Sequence, residues 1–270
     1  MNWGGGDYPR FEHLMSDDLE TNVGPLSGSP VNSLRYDGHT EDPFEVAGML
    51  KSLMPAGVRV LDVGCGTGSV TRIANEGKGN VVFAVEPDAS RARLAEARGI
   101  EVVCDVLRPE MLAARGPFDV VMFSDVLEHL ISPDDVIELA LSGLRPGGAL
   151  MVSIPNVAHW SIRLRLLLGR FDYTQTGLCD ATHLRWFTQK TALELMTRHG
   201  LDVEVLRHTA GTSLEVYNSK YFRWMNERAR NSIIRRMTRV MPRLFACQFV
   251  VVARKRSLVL TSESPGGSAA

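Results

Sequence analysis

The chain has 270 residues, 44% of them hydrophobic and 23% charged, with a formal net charge of −1. That is enough apolar material for one large α/β domain with additions, and so even a charge balance gives no reason to expect nucleic acid as the main partner. Four cysteines, Cys65, Cys104, Cys179 and Cys247, stand apart without a CxxC pair, which points to reduced thiols in a cytoplasmic protein rather than a disulfide frame or a zinc site. Residues 1–10 lack the basic-then-apolar pattern of a signal peptide, and no apolar run approaches the roughly 18 to 20 residues needed to cross a bilayer.

In chain order, residues 1–30 are rich in Gly, Pro, Ser and acids and are expected to be mobile or loosely docked, so the folded domain is placed at 31–256. Asp42 followed by Pro43 predicts a helix start, and Phe44, Ala47, Leu50 and Met54 recur near helical spacing. Tyr36 and His39 lie just before that helix. An apolar run over 58–63 then ends in Gly64, Gly66 and Gly68, with a helix-compatible segment over 69–76. This is the order of a buried parallel strand, a tight turn and a helix N-terminus, the setting in which α/β proteins bind nucleotide-like ligands. Glycine lets the backbone turn sharply and leaves no Cβ between the main chain and a ligand, while exposed amides and the helix dipole suit a carboxylate or phosphate. Ser69 stands where a dinucleotide fingerprint has Gly or Ala, and no Gly-Lys phosphate loop is present, which disfavours an NAD-linked oxidoreductase.

Residues 80–86 read as a second strand ending in Glu86, followed by Pro87. Glu86 lies about 20 residues past the glycine turn, where a neighbouring parallel strand places a carboxylate beside a ribose. The cap of the following helix (89–98) is better filled by Asp88. A third strand over 100–104 ends at Asp105 and Val106, and a fourth over 118–124 ends at Ser124 and runs into Asp125, Glu128 and His129. Pro133 opens a helix to 144, and Arg145-Pro-Gly-Gly148 turns into a fifth strand over 149–154. Residues 161–175 combine Ile162, Leu164 and Leu166–168 with interleaved arginines, which suits either a shield over a reaction or a docked amphipathic helix. A capped amphipathic helix over 188–200 and a sixth strand over 201–206 follow. The basic stretch 218–243 (Lys220, Arg223, Arg228, Arg230, Arg235, Arg236, Arg239, Arg243) reads as a solvated helix face, an anionic-ligand site or a membrane-surface contact. A seventh strand over 245–254 precedes a Ser/Gly/Ala tail, 257–270, expected to be disordered.

Leu61-Asp-Val-Gly-Cys-Gly-Thr-Gly68, with Glu86 correctly spaced behind it, resembles the first motif of class I S-adenosylmethionine-dependent methyltransferases. Asp125-Val-Leu-Glu-His129 and Leu144-Arg-Pro-Gly-Gly148 resemble later segments of the same family. Residues 154–160 and 167–173, with Asp180-Ala-Thr-His-Leu-Arg-Trp-Phe-Thr188, are similar to bacterial methyltransferases of surface-polysaccharide and glycoside pathways, and to those of quinone and natural-product synthesis. The resemblance spans about 34–256. It implies a doubly wound, seven-stranded Rossmann-like sheet with the last strand antiparallel, an acceptor-side lid over 155–188 and a basic helical insertion over 212–243. It further implies S-adenosyl-L-methionine as cofactor, contacted by Asp62, Gly64, Cys65, Gly66 and Gly68 at the first turn, Glu86 and Pro87 at the ribose, and Asp105 and Val106 at the adenine. Ser124 is placed near the methyl group, and Tyr36 on a segment that folds over the cofactor.

Such a donor is already electrophilic, so holding the acceptor in line supplies much of the rate, on the order of 7 to 11 kcal/mol. A hydroxyl acceptor also has a proton to lose. His129, His159 and His183 are the candidate bases; His183 is preferred, with Asp180 three residues earlier expected to orient its ring, while His129 is expected to shape the site. Cys179, Asp180 and His183 in one loop are too few ligands for a metal, so none is expected. The sequence therefore reads as a methyltransferase acting on a small molecule, a sugar or other hydroxyl first, a quinone-like or natural-product phenol or a nitrogen second. A non-catalytic cofactor-binding module is the alternative of another class.

Overall fold

Seven strands form one sheet in the order β3-β2-β1-β4-β5-β7-β6 in a computed structural model that describes residues 34–219, 222 and 224–256. They are β1 (Arg59–Val63), β2 (Val81–Val85), β3 (Glu101–Val103), β4 (Phe118–Ser124), β5 (Leu144–Pro155), β6 (Leu201–His208) and β7 (Gln248–Lys255). The first five pair in parallel, whereas β7 runs antiparallel to both β5 and β6. The chain moves outward from β1 to β3 and then returns to place β4 on the other side of β1. That reversal leaves a crevice at the carboxyl ends of β1 and β4, where a sheet of this kind receives its ligand.

Side-chain alternation along each strand divides the core into two layers. Leu61 and Val63, Val121 and Phe123, and Leu150 and Val152 face one side, packed with Leu112 of α4 (Pro109–Arg115), Ile137 of α5 (Pro133–Ser142) and Leu195 of α7 (Gln189–Arg198). Val60, Val120, Met122 and Met151 face the other, against Leu50 of α1 (Val46–Leu53) and Ile73 of α2 (Ser69–Asn75). Asp62 shares the face of Val60, which is why its carboxylate meets α2. Further out on that face, Ala92 and Ala95 of α3 (Ala89–Ala97) pack on Ala84 and Val102.

Helix starts follow local chemistry. Asp88 caps α3 by accepting from the Ser90 and Arg91 amides, and Thr188 and Thr191 form a reciprocal capping box on α7. The helix expected from Asp42-Pro43 begins later, at Val46, because Asp42 first accepts the Phe44 amide in a turn. Leu144 opens β5 instead of closing α5: the Arg145-Pro-Gly-Gly148 turn sits inside one long irregular strand, with a register shift against β4 between Phe118 and Val120. Phe245 belongs to a short helix, α9 (Pro242–Phe245), so β7 starts at Gln248, and β6 runs two residues past 206. α4 had no counterpart in the sequence reading. Between β5 and α7 comes α6 (Trp160–Leu167), and α8 (Glu227–Val240) occupies the basic stretch; Lys220, Arg223, the 1–30 segment and the 257–270 tail lie outside the described residues. Among the described residues, no helix is long and apolar enough to cross a membrane.

Candidate active site

The turn after β1 is built to bring main chain close to something else. Gly64 and Gly66 have φ of +73° and +57°, in the left-handed region that a side chain disfavours. A Cβ on Gly64 would lie 2.8 Å from Val126 Cγ2, so the end of β4 is packed directly on the turn. A Cβ on Gly66 would meet nothing within 4 Å, which leaves its backbone facing open space at the head of the crevice. Gly68 forms the N-terminal boundary of α2, and the Cys65 side chain is turned inward among Ala84, Ala92 and Ala95.

Two buried carboxylates stand behind this turn. Asp62 is 1% exposed; its Oδ2 accepts from Thr71 Oγ1 at 2.5 Å, and its Oδ1 is buried without a partner. Burial pushes its carboxyl up to about 7, the nearby Glu86 charge adds to that, and the Thr71 hydrogen bond opposes it. Glu86, 3% exposed, accepts from the Gly66 amide through Oε2 at 2.8 Å and from the Asp88 amide through Oε1 at 3.0 Å. Those two bonds aim the carboxylate and leave about half of its four acceptor sites for hydroxyl donors. Pro87, the residue between Glu86 and Asp88, offers its carbonyl to the Cys104 thiol. Beyond β3, Asp105 accepts from the Val106 amide at 2.7 Å and pairs with Arg108, contacts that hold its carboxyl below the usual range. An orphaned buried oxygen, a glycine facing open space and a ribose-spaced carboxylate are what a nucleoside-bearing cofactor with a charged tail requires.

Segment 34–40 straps this turn to the other half of the site. Asp37 accepts from Thr67 Oγ1 at 2.6 Å and pairs with Arg98 at 2.8 Å. Two residues earlier, Arg35 reaches Asp180 at 3.0 Å, and Tyr36 donates its hydroxyl hydrogen to Asp180 Oδ2 at 2.6 Å while accepting from the Gly177 amide at 2.9 Å. Thr182 adds its amide and hydroxyl to the same carboxylate. Burial would raise the Asp180 carboxyl, but the hydrogen bonds from Tyr36 and Thr182 and the Arg35 charge outweigh it and hold the group below its ordinary value. The expectation that Asp180 orients His183 is therefore corrected: Arg35, Tyr36 and Thr182 hold its carboxylate, which ties the 177–183 loop to the strap.

His183 instead faces His129 and Glu128. The two imidazoles sit edge-on with centroids 4.9 Å apart, and Trp186 closes on His183 at 5.5 Å. His129 Nδ1 lies 3.1 Å from the Thr182 carbonyl, and His183 Nδ1 has no hydrogen-bond partner. Burial, then the neighbouring His129, push the His183 pKa down to about 4. Glu128 is 1% exposed with both carboxylate oxygens unpartnered, and burial drives its carboxyl well upward. Glu128 follows Val126 by two residues, so this cluster abuts the glycine turn. Ser124 lies at the mouth of the same strand, 3.4 Å from the Ser153 hydroxyl. Asp125 has φ +53°, the one non-glycine positive φ among the described residues; it accepts from Gln248 Nε2 at 2.8 Å, and burial pushes it up to about 6. His159, the third candidate base, is fully buried between Ser161 and the Tyr217 hydroxyl, apart from this cluster.

Sequence reasoning grouped His183 with Asp180 because they are close in the chain. It did not assign the carboxylate that does face His183, although Glu128 precedes His129 directly. Arg35 was missed altogether, since nothing local marks a residue paired 145 positions away.

Sheet order and glycine turn together define a doubly wound protein that binds a nucleotide-like cofactor at its switch point. The chain belongs to the class I S-adenosylmethionine-dependent methyltransferase family: the family model described as "Methyltransferase domain" matches residues 34–206. It is 30% identical over 195 residues to the ubiquinone biosynthesis O-methyltransferase of Xylella fastidiosa, covering 70% of this chain and 74% of that protein. It is 37% identical over 123 residues to the protein of the same name from Xanthomonas axonopodis, covering 44% and 52% respectively. The tRNA 5-carboxymethoxyuridine methyltransferase of Escherichia coli is 33% identical over 141 residues, again over 52% of its length, so the matches to these last two relatives span about half of each. Among solved structures, a SAM-dependent methyltransferase from Archaeoglobus fulgidus superposes with a TM-score of 0.51 at 19% identity, covering 80% of this chain and 97% of that one.

Proposed function

We propose that this protein transfers a methyl group from S-adenosylmethionine to a hydroxyl oxygen of a small molecule. The carrying observation is the contact of Val126 with Gly64: it sets a turn fit for the donor against a buried carboxylate–imidazole cluster fit for an acceptor. The donor supplies a methyl group made electrophilic by its sulfonium. The amides of Gly64–Gly68 and the free Asp62 oxygen would hold its amino-acid end, Glu86 its ribose, and Asp105 with Val106 its adenine. The 34–40 strap and Trp186 exclude water, and the partner-free His183 nitrogen accepts a proton as the acceptor oxygen loses it.

Relatives named for ubiquinone O-methylation support an oxygen acceptor, and among oxygen acceptors they favour a phenolic hydroxyl over a sugar. The relative named for tRNA modification raises a polynucleotide acceptor, which an overall charge of −1 does not favour. Incubation with the donor and separate panels of catechols, simple glycosides and tRNA, followed by mass spectrometry of the products, tests the reading. A methyl ether on a small molecule is the expected product. Methylation only at nitrogen or only in RNA would contradict the acceptor assignment.

A further inference from the structure

We infer that the outer face of α8, with Trp224 before it and Met241 and Arg243 after it, docks this protein on an anionic lipid bilayer, the helix lying in the plane of the headgroups. The inference is independent of the methyl-transfer reading. Residues 227–243 hold six arginines against one acid, Glu227, in a chain whose total charge is −1. The remainder of the chain is therefore net acidic, and positive charge is concentrated on this one element.

The inner face of α8 is occupied by the fold. Ile234 is buried with Ala210 and Tyr217, and Thr238 donates to the Phe245 carbonyl at 3.2 Å. Arg235 pairs with Asp42 at 2.6 Å and lies over the Phe44 ring, while Arg230 donates to the Tyr217 carbonyl. These contacts fix the helix on the body and use two of the six arginines. Arg228, Arg236, Arg239 and Arg243 are exposed, and among the described residues none of their guanidinium groups has an ion pair or a hydrogen bond. Arg236 and Arg239 stand one turn apart and repel each other, a pattern that weakens the helix in water and becomes favourable against a negative surface.

The same face carries apolar groups. Trp224 is 81% exposed, Val240 66%, Ile233 50% and Met241 40%. At helical spacing Ala229, Ile233, Arg236 and Val240 fall in one row opposite the buried Ile234 and Thr238, and Arg228, Ser232 and Arg239 run beside that row. An apolar row edged by arginines is the form of a helix that lies at a bilayer interface, where aliphatic side chains enter the acyl boundary and guanidinium groups reach the phosphates. Tryptophan is favoured at the same depth. A polynucleotide backbone would answer the arginines but leave Ile233 and Val240 in water. With 14 residues α8 extends about 21 Å, short of a hydrocarbon core of about 30 Å, so it lies on the bilayer and does not cross it.

The test is co-sedimentation of the full-length protein with vesicles of phosphatidylcholine alone and of equimolar phosphatidylcholine and phosphatidylglycerol. The protein should partition onto the mixed vesicles only, and less as added salt screens the arginines. Each arginine near an anionic surface contributes about fivefold to partitioning, so Arg236→Gln/Arg239→Gln should weaken binding about 25-fold. Ile233→Gln/Val240→Gln should weaken it by about tenfold or more through lost apolar burial. Both double variants should unfold near the parent's temperature, because all four side chains lie away from the packed face of α8. Absence of binding to the mixed vesicles overturns the inference, as does binding that neither double variant weakens. Binding to tRNA in place of vesicles, unaffected by Ile233→Gln/Val240→Gln, would give the face to a polynucleotide and overturn it equally.

Discussion

Arg35 and Asp180 form an ion pair of 3.0 Å across 145 residues of chain, with side chains only 9% and 1% exposed. The pair joins the strap that covers the glycine turn to the loop that carries His183. Breaking a buried pair by removing one partner leaves the other charge uncompensated, at a cost of about 3–5 kcal/mol. Asp180→Ala should lower urea-derived unfolding stability by that amount. A loss below about 1 kcal/mol would show that the pair is not buried in solution.

Tyr36 tests the same joint more gently. Its hydroxyl bridges Asp180 and the Gly177 amide, so Tyr36→Phe removes both bonds while keeping the ring and leaves Asp180 Oδ2 to Arg35. The expected cost is about 1–3 kcal/mol. Urea unfolding of Tyr36→Phe and of the Tyr36→Phe/Asp180→Ala double variant should give non-additive losses; strictly additive values would separate the two contacts.

Asp62 gives the stability a pH signature. Burial lifts its carboxyl from an ordinary 3.8 to about 7, so the folded protein retains a proton that the unfolded chain has released. The sign follows: the group's contribution to stability falls as pH rises from about 4 to about 7 and is level above that. Asp62→Asn should flatten this part of the profile measured by chemical unfolding at a series of pH values. An unchanged slope would mean that Asp62 ionises normally in the fold.

Gly64 and Gly66 of the first turn should separate stability from binding. Gly64→Ala forces a Cβ to 2.8 Å from Val126 and should cost about 1–3 kcal/mol through overpacking. Gly66→Ala meets no atom, so it pays chiefly for its positive φ, about 1 kcal/mol, yet it should weaken S-adenosylhomocysteine at least as much as Gly64→Ala does. Thermal unfolding and calorimetry on both variants decide this; a stable Gly66→Ala that binds normally would remove the turn from the site.

His183→Ala should leave S-adenosylhomocysteine affinity within about twofold and lower kcat by about 10²- to 10⁴-fold, the usual contribution of a group that manages a proton. Normal turnover in that variant would remove His183 from the chemistry.

What could be read from the sequence was what is local. Val60 to Val63 and the three glycines announce their strand and turn because burial on both faces demands an apolar run and the turn demands positive φ. Glu86 was legible through its spacing. The helical and strand assignments slipped where a stronger long-range interaction overrode a local signal, as when pairing with β4 drew Leu144 and the Pro-Gly-Gly turn into β5. The partners of Asp180 were hidden for the same reason: a carboxylate's charge says that it needs donors, not which distant residues supply them. Asp125 takes its left-handed backbone where its amide donates to the Ser153 hydroxyl of the adjacent β5, a long-range contact that no neighbour in the sequence signals.

The central claim is that the glycine turn, with Asp62 and Glu86 behind it, holds the methyl donor. Isothermal titration of S-adenosylhomocysteine into the purified chain tests it most directly. The account predicts saturable binding at one site per chain that disappears in a folded Gly66→Val variant. No heat with the parent protein, or equal binding by Gly66→Val, would contradict it.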